Sequence, residues 1–309
     1  MPQSKVYFTD DLSSAGLVKI YEALGVELSG KVGVKISTGE AGNTNYLKPD
    51  LIKDLVRKVD GAIVECNVAY EGGRDITERH LETAREHGFM DIADVDIMDA
   101  DGEIEIPVEP SKWLPVDLVG AHITNYGSFI NLAHFKGHEM AGFGGVLKNQ
   151  SIGFASANGK AYIHSLGATR VPAEMVAGIM ADVEGSLAAQ QDGFLEAIAE
   201  TAKAVADYVA KKQDNDAPGI IYINVINNLS VDCDCAAEPE APCMADIGIV
   251  ASLDPVAADQ AALDLIKQSD DPGREHFLER VARQDGEHVL SYASQIGLGS
   301  REYELVRLD

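Results

Sequence analysis

The chain has 309 residues, 46% of them apolar, and carries 25 Lys plus Arg against 50 Asp plus Glu, a formal net charge of −25. That length and apolar content suffice for one large core or two medium ones and exclude a disordered chain, and the charge repels phosphate backbones and anionic lipid, so neither nucleic acid nor a membrane is expected as a partner. No apolar run reaches the roughly eighteen residues of a membrane span, and Met1 to Phe8 lacks the hydrophobic run of a signal peptide, so a cytoplasmic protein is expected.

Short β-branched runs alternate with amphipathic segments through the first half. A strand at Lys5–Phe8 is followed by a helical pattern over Ala15–Leu24, a strand at Lys31–Ile36, a helix opened by Pro49, a strand at Gly61–Glu65 and a helix over Ile76–His87. Such alternation predicts a parallel or mixed sheet flanked by helices. Asp99-Ala-Asp-Gly-Glu103, between Val95–Ile97 and Ile104–Ile106, reads as a hairpin turn because Asp-Gly supplies the positive φ that tight turns need. A strand at Phe129–Phe135 then delivers a His/Lys/Gly segment at its carboxyl end, where open parallel sheets bind ligands.

From Pro172 the composition turns alanine-rich, and Phe194–Lys211 has the apolar spacing of one helix, a candidate joint between lobes. Strands at Ile220–Ile226 and Ile247–Ser252 flank a cysteine segment, and Asp254 and Pro255 read as the cap and first turn of a helix. The expected fold is α/β and two-lobed, with residues 1–172 carrying the His/Gly/Lys segment and a smaller α/β lobe, residues 173–309, carrying the cysteine loop.

The segment His134-Phe-Lys-Gly-His138-Glu-Met-Ala-Gly-Phe-Gly-Gly145-Val-Leu-Lys148, followed by His164, brings imidazoles, amines and glycines into a short span. Gly142, Gly144 and Gly145 precede Val146 in a turn that could present backbone N–H groups to an anion. A tight turn with satisfied histidines is the simpler reading for any one of them, and the combination with Lys148 favours a site. His80 and His87 lie in a charged helix and are read as a solvated face, His276 and His288 as parts of polar segments. Nucleophile-elbow, Walker and His-Glu-x-x-His motifs are absent, which leaves common hydrolase, nucleotidase and zinc-protease readings without support.

The cysteines, at 66, 233, 235 and 243, are too few and too uneven to staple the chain and are expected to remain thiols. Cys233-Asp-Cys235 with Cys243 offers three thiolate donors, which favours iron–sulfur, zinc or another thiophilic metal. Cys66, a first-lobe histidine or solvent could complete the set. A buried pair with one incidental thiol is the alternative.

Lys136, His138, Ala141-Gly-Phe-Gly-Gly145, Lys148-Asn149, Gly159-Lys160 and His164, joined to Cys233-Asp-Cys235 and Asp246-Ile-Gly-Ile-Val-Ala-Ser-Leu-Asp-Pro-Val-Ala257, closely resemble the bacterial and archaeal family called domain of unknown function 362. The likeness covers nearly all of the chain. More distantly, His138, Ala141-Gly-Phe143, Lys148 and His164 resemble a series in nickel-pincer lactate racemases. That resemblance implies a cofactor tethered to Lys148, nickel coordination by His164 and proton movement by His138, roles that imidazole chemistry allows. The racemases' second catalytic histidine has no counterpart in Tyr70-Glu-Gly-Gly-Arg74, although the arginine is kept and could hold a carboxylate. Ser37-Thr-Gly-Glu-Ala-Gly-Asn-Thr-Asn45 lacks their first-lobe arginine, and no cysteine between His164 and Ser230 supports the ferredoxin-like insertion that many relatives carry.

The expected function is therefore a metal-dependent enzyme, using nickel or an iron–sulfur cluster, that moves a proton or hydride on a small anionic organic ligand. His138, Lys136 and Arg74 are the expected catalytic groups, Lys148, Gly142, Gly144 and Gly145 the cofactor-binding ones, and Cys233, Cys235, Cys243 and His164 the metal ligands. Two alternatives are a non-catalytic iron–sulfur or metal-trafficking protein built on the cysteine loop, and a metal-free module holding a small anion on the glycine turn and Lys136.

Overall fold

The computed structural model describes residues 3–181, 190–213 and 217–308. The strands are β1 (Ser4–Thr9), β2 (Val32–Lys35), β3 (Ala62–Glu65), β4 (Val95–Ile97), β5 (Glu103–Pro107), β6 (Val116–Gly120), β7 (Ser128–His134), β8 (Lys136–His138), β9 (Gly142–Gly144), β10 (Ile220–Ile226), β11 (Gly248–Ser252) and β12 (Tyr303–Arg307). The helices are α1 (Ser14–Ala23), α2 (Pro49–Lys58), α3 (Thr77–Glu86), α4 (Val146–Phe154), α5 (Ala157–His164), α6 (Pro172–Ala181), α7 (Gln191–Ala210), α8 (Pro255–Gln268), α9 (Arg274–Arg283) and α10 (His288–Gln295). None is long and apolar enough to cross a membrane.

The fold is mixed α/β, built on one eight-stranded sheet in the order β12-β1-β11-β10-β7-β2-β3-β4. From β10 through β7, β2 and β3 to β4 all neighbours are parallel, and β11 is antiparallel to both β10 and β1. Strands on either side of residue 172 share this sheet, since β7 pairs directly with β10. Every residue of those two strands is buried, as their near-continuous apolar runs require of strands covered on both faces. On one face Leu17, Ile20, Ile52 and Leu55 of α1 and α2 pack against Val34, Ile130 and Ile223, and on the other Val146, Phe154, Val205 and Ala258 pack near Phe129, Ala133 and Tyr222.

Two expectations change. Val95–Ile97 and Ile104–Ile106 do not pair: β4 joins the edge of the main sheet through β3, and β5 pairs antiparallel with β6 in a separate ribbon. The Asp-Gly turn forms, with Gly102 at φ 106°, but the main-chain groups of β4 already face β3, so the chain leaves the sheet after turning. The helix expected as a joint, α7, is instead a core element that buries Leu195, Ile198, Ala202 and Val205, its small residues allowing close approach to α4 and α10. Residues 182–189 of the alanine-rich stretch lie outside the described residues.

The chain steps outward from β2 to β3 to β4, then returns to set β7 on the other side of β2. Connections that diverge from adjacent parallel strands leave a crevice beyond their carboxyl ends. Lys35 ends β2, Glu65 ends β3 and His134 ends β7, so charged and titratable groups stand at that crevice.

Candidate active site

A cavity of about 440 Å³ opens at this crevice, lined by Arg74, Lys136, His138, Gly144, Gly145, Lys148, His164, Cys233 and Cys235. The middle of the chain and the cysteine loop thus meet in one place. Gly142 and Cys243, also expected at the site, are not among the lining residues.

The ribbon of β8 and β9 pairs Lys136 with Gly144 and His138 with Gly142. Gly142 has φ 77° and packs near Val281 and Gly286, so its part is to close the turn. His138 Nδ1 accepts from the N–H groups of Met140 and Ala141 at 3.1 and 3.0 Å and fastens the same turn. A Cβ on Gly137 would lie 2.3 Å from the Val231 carbonyl, so only glycine lets the ribbon run against the cysteine loop, to which its N–H donates at Ser230. From the first segment, Glu40 N–H donates to the Asp234 carbonyl at 2.7 Å and Asn43 Nδ2 to the Ala236 carbonyl at 2.8 Å, which holds the loop on its other side.

The start of α4, where the glycine turn was expected to receive an external anion, is already occupied. Val146 and Leu147 N–H donate to the two carboxylate oxygens of buried Asp259 at 2.8 and 3.0 Å, and Asn224 Nδ2 donates to Asp259 Oδ1 at 2.8 Å. A helix N-terminus favours negative charge, and here the chain supplies it. A Cβ on Gly145 would fall 2.2 Å from Asp259 Oδ1, whereas one on Gly144 would come no nearer than 3.6 Å to the flexible Lys136 and Lys148 side chains. Gly145→Ala is therefore expected to lower stability by about 1–3 kcal/mol through overpacking, and Gly144→Ala to stay near wild type. Urea unfolding midpoints of the two variants check this, and equal losses would contradict it.

Along one side of the cavity, with Glu65, Tyr70 and Arg74 among its lining residues, lies a buried charge network absent from the expected site list except for Arg74. Arg74 donates through Nε to Glu40, through Nη1 to Glu65 and through Nη2 to the Tyr70 hydroxyl, all at 3.3 Å. Glu65 also accepts from Thr38 N–H at 2.9 Å and from the Thr38 hydroxyl, with His80 Nε2 3.1 Å away. Burial would raise the Glu65 carboxyl, but Arg74, His80 and Lys35 outweigh it and hold the group well below the usual carboxylate range. His80 is wholly buried and also bonds Asn67, which corrects its assignment to a solvated face. The reason is amphipathicity: α3 turns His80, Thr83 and Ala84 inward and its other charges outward. His87 is likewise tied down, bonded to the Thr38 carbonyl at 2.7 Å and stacked on Tyr46.

Asp234, between the two cysteines, anchors the opposite wall. It sits 2.8 Å from His134 Nδ1 and 3.3 Å from Lys136 Nζ, and although burial would raise its carboxyl, Lys136 and His134 hold it well below the usual range. Lys35 and Lys160 also line the cavity, Lys35 donating to the Ile36 carbonyl and Asn149, Lys160 to the Ala155 carbonyl. Burial, opposed by Glu65, brings Lys35 down to about 8. The Lys148 amine has no hydrogen-bond partner among the described residues, and burial with Lys136 and Lys160 nearby brings it down to about 7. Burial and Lys148 bring His164 to about 4 and push His138 well below its ordinary value.

The cysteines depart most from expectation. Cys233 and Cys235 are joined in a disulfide, their Cα atoms 5.3 Å apart, because the loop doubles back at Asp234 with Cys235 N–H against Cys233 Sγ. Cys243 lies outside the cavity with its thiol on the Leu229 carbonyl, and Cys66 lines the cavity with its thiol on the Phe154 carbonyl, pushed up by burial. Three thiolates are therefore not assembled, and an iron–sulfur cluster on Cys233, Cys235 and Cys243 does not fit this arrangement. Donor atoms of His138, Cys233 and Cys235 do lie within 4.8 Å of one another. Two of the three are sulfurs of a disulfide, which lack the charge of thiolates.

Comparison with known proteins covers the same region. The sequence model of the family described as Domain of unknown function (DUF362) matches residues 32–264, about three quarters of the chain. The chain belongs to the DUF362 family. The DUF362 match spans every lining residue of the cavity, from Lys35 to Ala236. Among solved structures, the lactate racemase apoprotein from Thermoanaerobacterium thermosaccharolyticum is similar at 12% identity and a TM-score of 0.40, over 72% of this chain and 50% of that one. This DUF362 chain thus spans half the length of that racemase. A search of curated proteins finds no match.

Proposed function

We propose that this DUF362 protein is a metal-dependent enzyme that moves a proton or hydride on a small organic acid. The observation that carries the reading is the meeting of Lys148, His164 and Lys136 around one cavity that also has an apolar wall, formed by Met175, Val176 and Ile179 of α6. The motif resemblance assigns a tethered nickel-pincer group to Lys148 and His164, and the local chemistry suits it. An amine brought near neutrality is nucleophilic enough for covalent attachment, and His164 Nδ1 is engaged by the Lys160 carbonyl at 2.7 Å, which leaves Nε2 for a metal. When bound, such a group would supply an electron-pair acceptor beside the substrate carbon.

The chain's own groups then bind and shield. Lys136, held on one side by Asp234, faces the cavity and suits a substrate carboxylate as a point charge. Arg74 has three of its N–H groups committed to Glu40, Glu65 and Tyr70, and in this reading it fixes the wall more than it recognises substrate. The α6 side chains exclude water from the charged floor, which strengthens its electrostatics. Metal analysis and intact mass of anaerobically purified protein test the proposal. A stoichiometric transition metal and a mass above that of the chain are expected, with both lost in Lys148→Ala. Wild-type protein with neither would overturn it.

A further inference from the structure

We infer that the cavity holds its two imidazoles in opposite tautomers, so that His138 offers a proton from Nε2 to a ligand oxygen and His164 offers a lone pair from Nε2. The first half stands on hydrogen-bond geometry. His138 Nδ1 faces two main-chain N–H groups, of Met140 at 3.1 Å and Ala141 at 3.0 Å, and a main-chain N–H can only donate. Nδ1 therefore carries a lone pair, and the single proton of a neutral imidazole stands on Nε2. A second proton on Nδ1 would break both turn-closing bonds and place a cation in a buried site beside Lys148 and Lys136, and burial and those lysines act against that cation.

His164 is set the other way by its helix. Its Nδ1 lies 2.7 Å from the Lys160 carbonyl one turn earlier in α5, and a carbonyl can only accept, so Nδ1 carries the proton. Phe194 packs on the ring with centroids 4.9 Å apart, which keeps it from turning over. Nε2 of His164 is then an acceptor, and it has no hydrogen-bond partner among the described residues.

The consequences for chemistry differ from what motif likeness implies. With Nε2 already protonated, His138 is neither a base nor a nitrogen ligand, which removes it from the group it forms by distance with Cys233 and Cys235. A neutral imidazole N–H in a buried site is instead an electrophile: it stabilises a carbonyl, carboxylate or enolate oxygen as negative charge gathers there. The ligand class is thereby narrowed to acids that place an oxygen at His138 while a second anionic oxygen reaches Lys136. The statement about His164 as metal ligand rests on the function proposed above; the tautomers do not.

Long-range proton–nitrogen correlation spectra of ¹⁵N-histidine-labelled protein at pH 7, assigned with His138→Gln and His164→Gln, read the protons directly. His138 is expected to show a protonated Nε2 and a bare Nδ1, and His164 the reverse. Either ring in the other tautomer, or His138 doubly protonated, would overturn the inference. A neutron structure of the unsubstituted protein reads the same protons if a variant fails to fold. Neither measurement depends on activity or on bound metal, so the inference and the proposed function can fail separately.

Discussion

Arg74→Ala should lower the stability of the fold by about 3–5 kcal/mol, the range seen when one partner of a buried ion pair is removed. Arg74 and both of its carboxylate partners are almost wholly buried. Truncation would leave Glu40 and Glu65 charged, barely exposed and without their cation, or force them to take up protons. Arg74→Lys should recover part of the loss, since it restores the charge but not the forked geometry that reaches Glu40, Glu65 and Tyr70 together. Arg85→Ala is the control, because its pair with Glu82 is exposed on α3 and should contribute less than about 1 kcal/mol. Urea unfolding of the three variants checks the order, and an Arg74→Ala midpoint equal to that of Arg85→Ala would refute it.

Acid should unfold the protein through Glu65 and Asp234. Both carboxyls are held below their ordinary values in the folded state, so the stability they contribute is present above about pH 4 and is lost as pH falls through their folded values. A carboxylate held low by buried cations contributes on the order of 2–3 kcal/mol, and two of them make a steep acid limb. Between pH 4 and 7 other groups offset one another. Burial raises Asp117 to about 7 and Asp259 to about 6, so their contributions fall as pH rises through that window. His164, lowered to about 4 chiefly by burial, contributes more as pH rises through the same window. The urea midpoint should therefore change little from pH 7 to 5 and drop sharply by pH 3. Asp234→Asn should start lower and fall less, and equal wild-type midpoints at pH 5 and 3 would rule the account out.

The elements of this fold were legible because their signals are local. Pro49 and Pro255 open helices, Asp254 caps one, and apolar β-branched runs mark β2, β3, β7 and β10. His138 and Lys148 were legible as candidates for a similar reason, since they flank one glycine turn, and His164 from its interval after them. Lys35, Glu65 and Asp234 were not, because what makes them matter is adjacency in space. Glu65 and Lys35 line one cavity only because β3 lies beside β2, and the cavity exists only because β7 returns to the far side of β2 after the chain has reached β4. A charged residue ending an otherwise apolar strand was the available clue, and both Lys35 and Glu65 carry it. The cysteines misled by proximity in sequence: Cys243 follows Cys235 closely, yet it hydrogen-bonds Leu229 outside the cavity.

The near-contact of Gly137 with the Val231 carbonyl fixes one rim of the cavity by main chain alone. No side-chain replacement can widen that rim without parting the two segments, so it behaves as an inextensible edge. Met175, Val176 and Ile179 of α6 also line the cavity, and there it is side chains that set the boundary. Side-chain exchange on α6, and not at this rim, is therefore a route to a larger or smaller cavity.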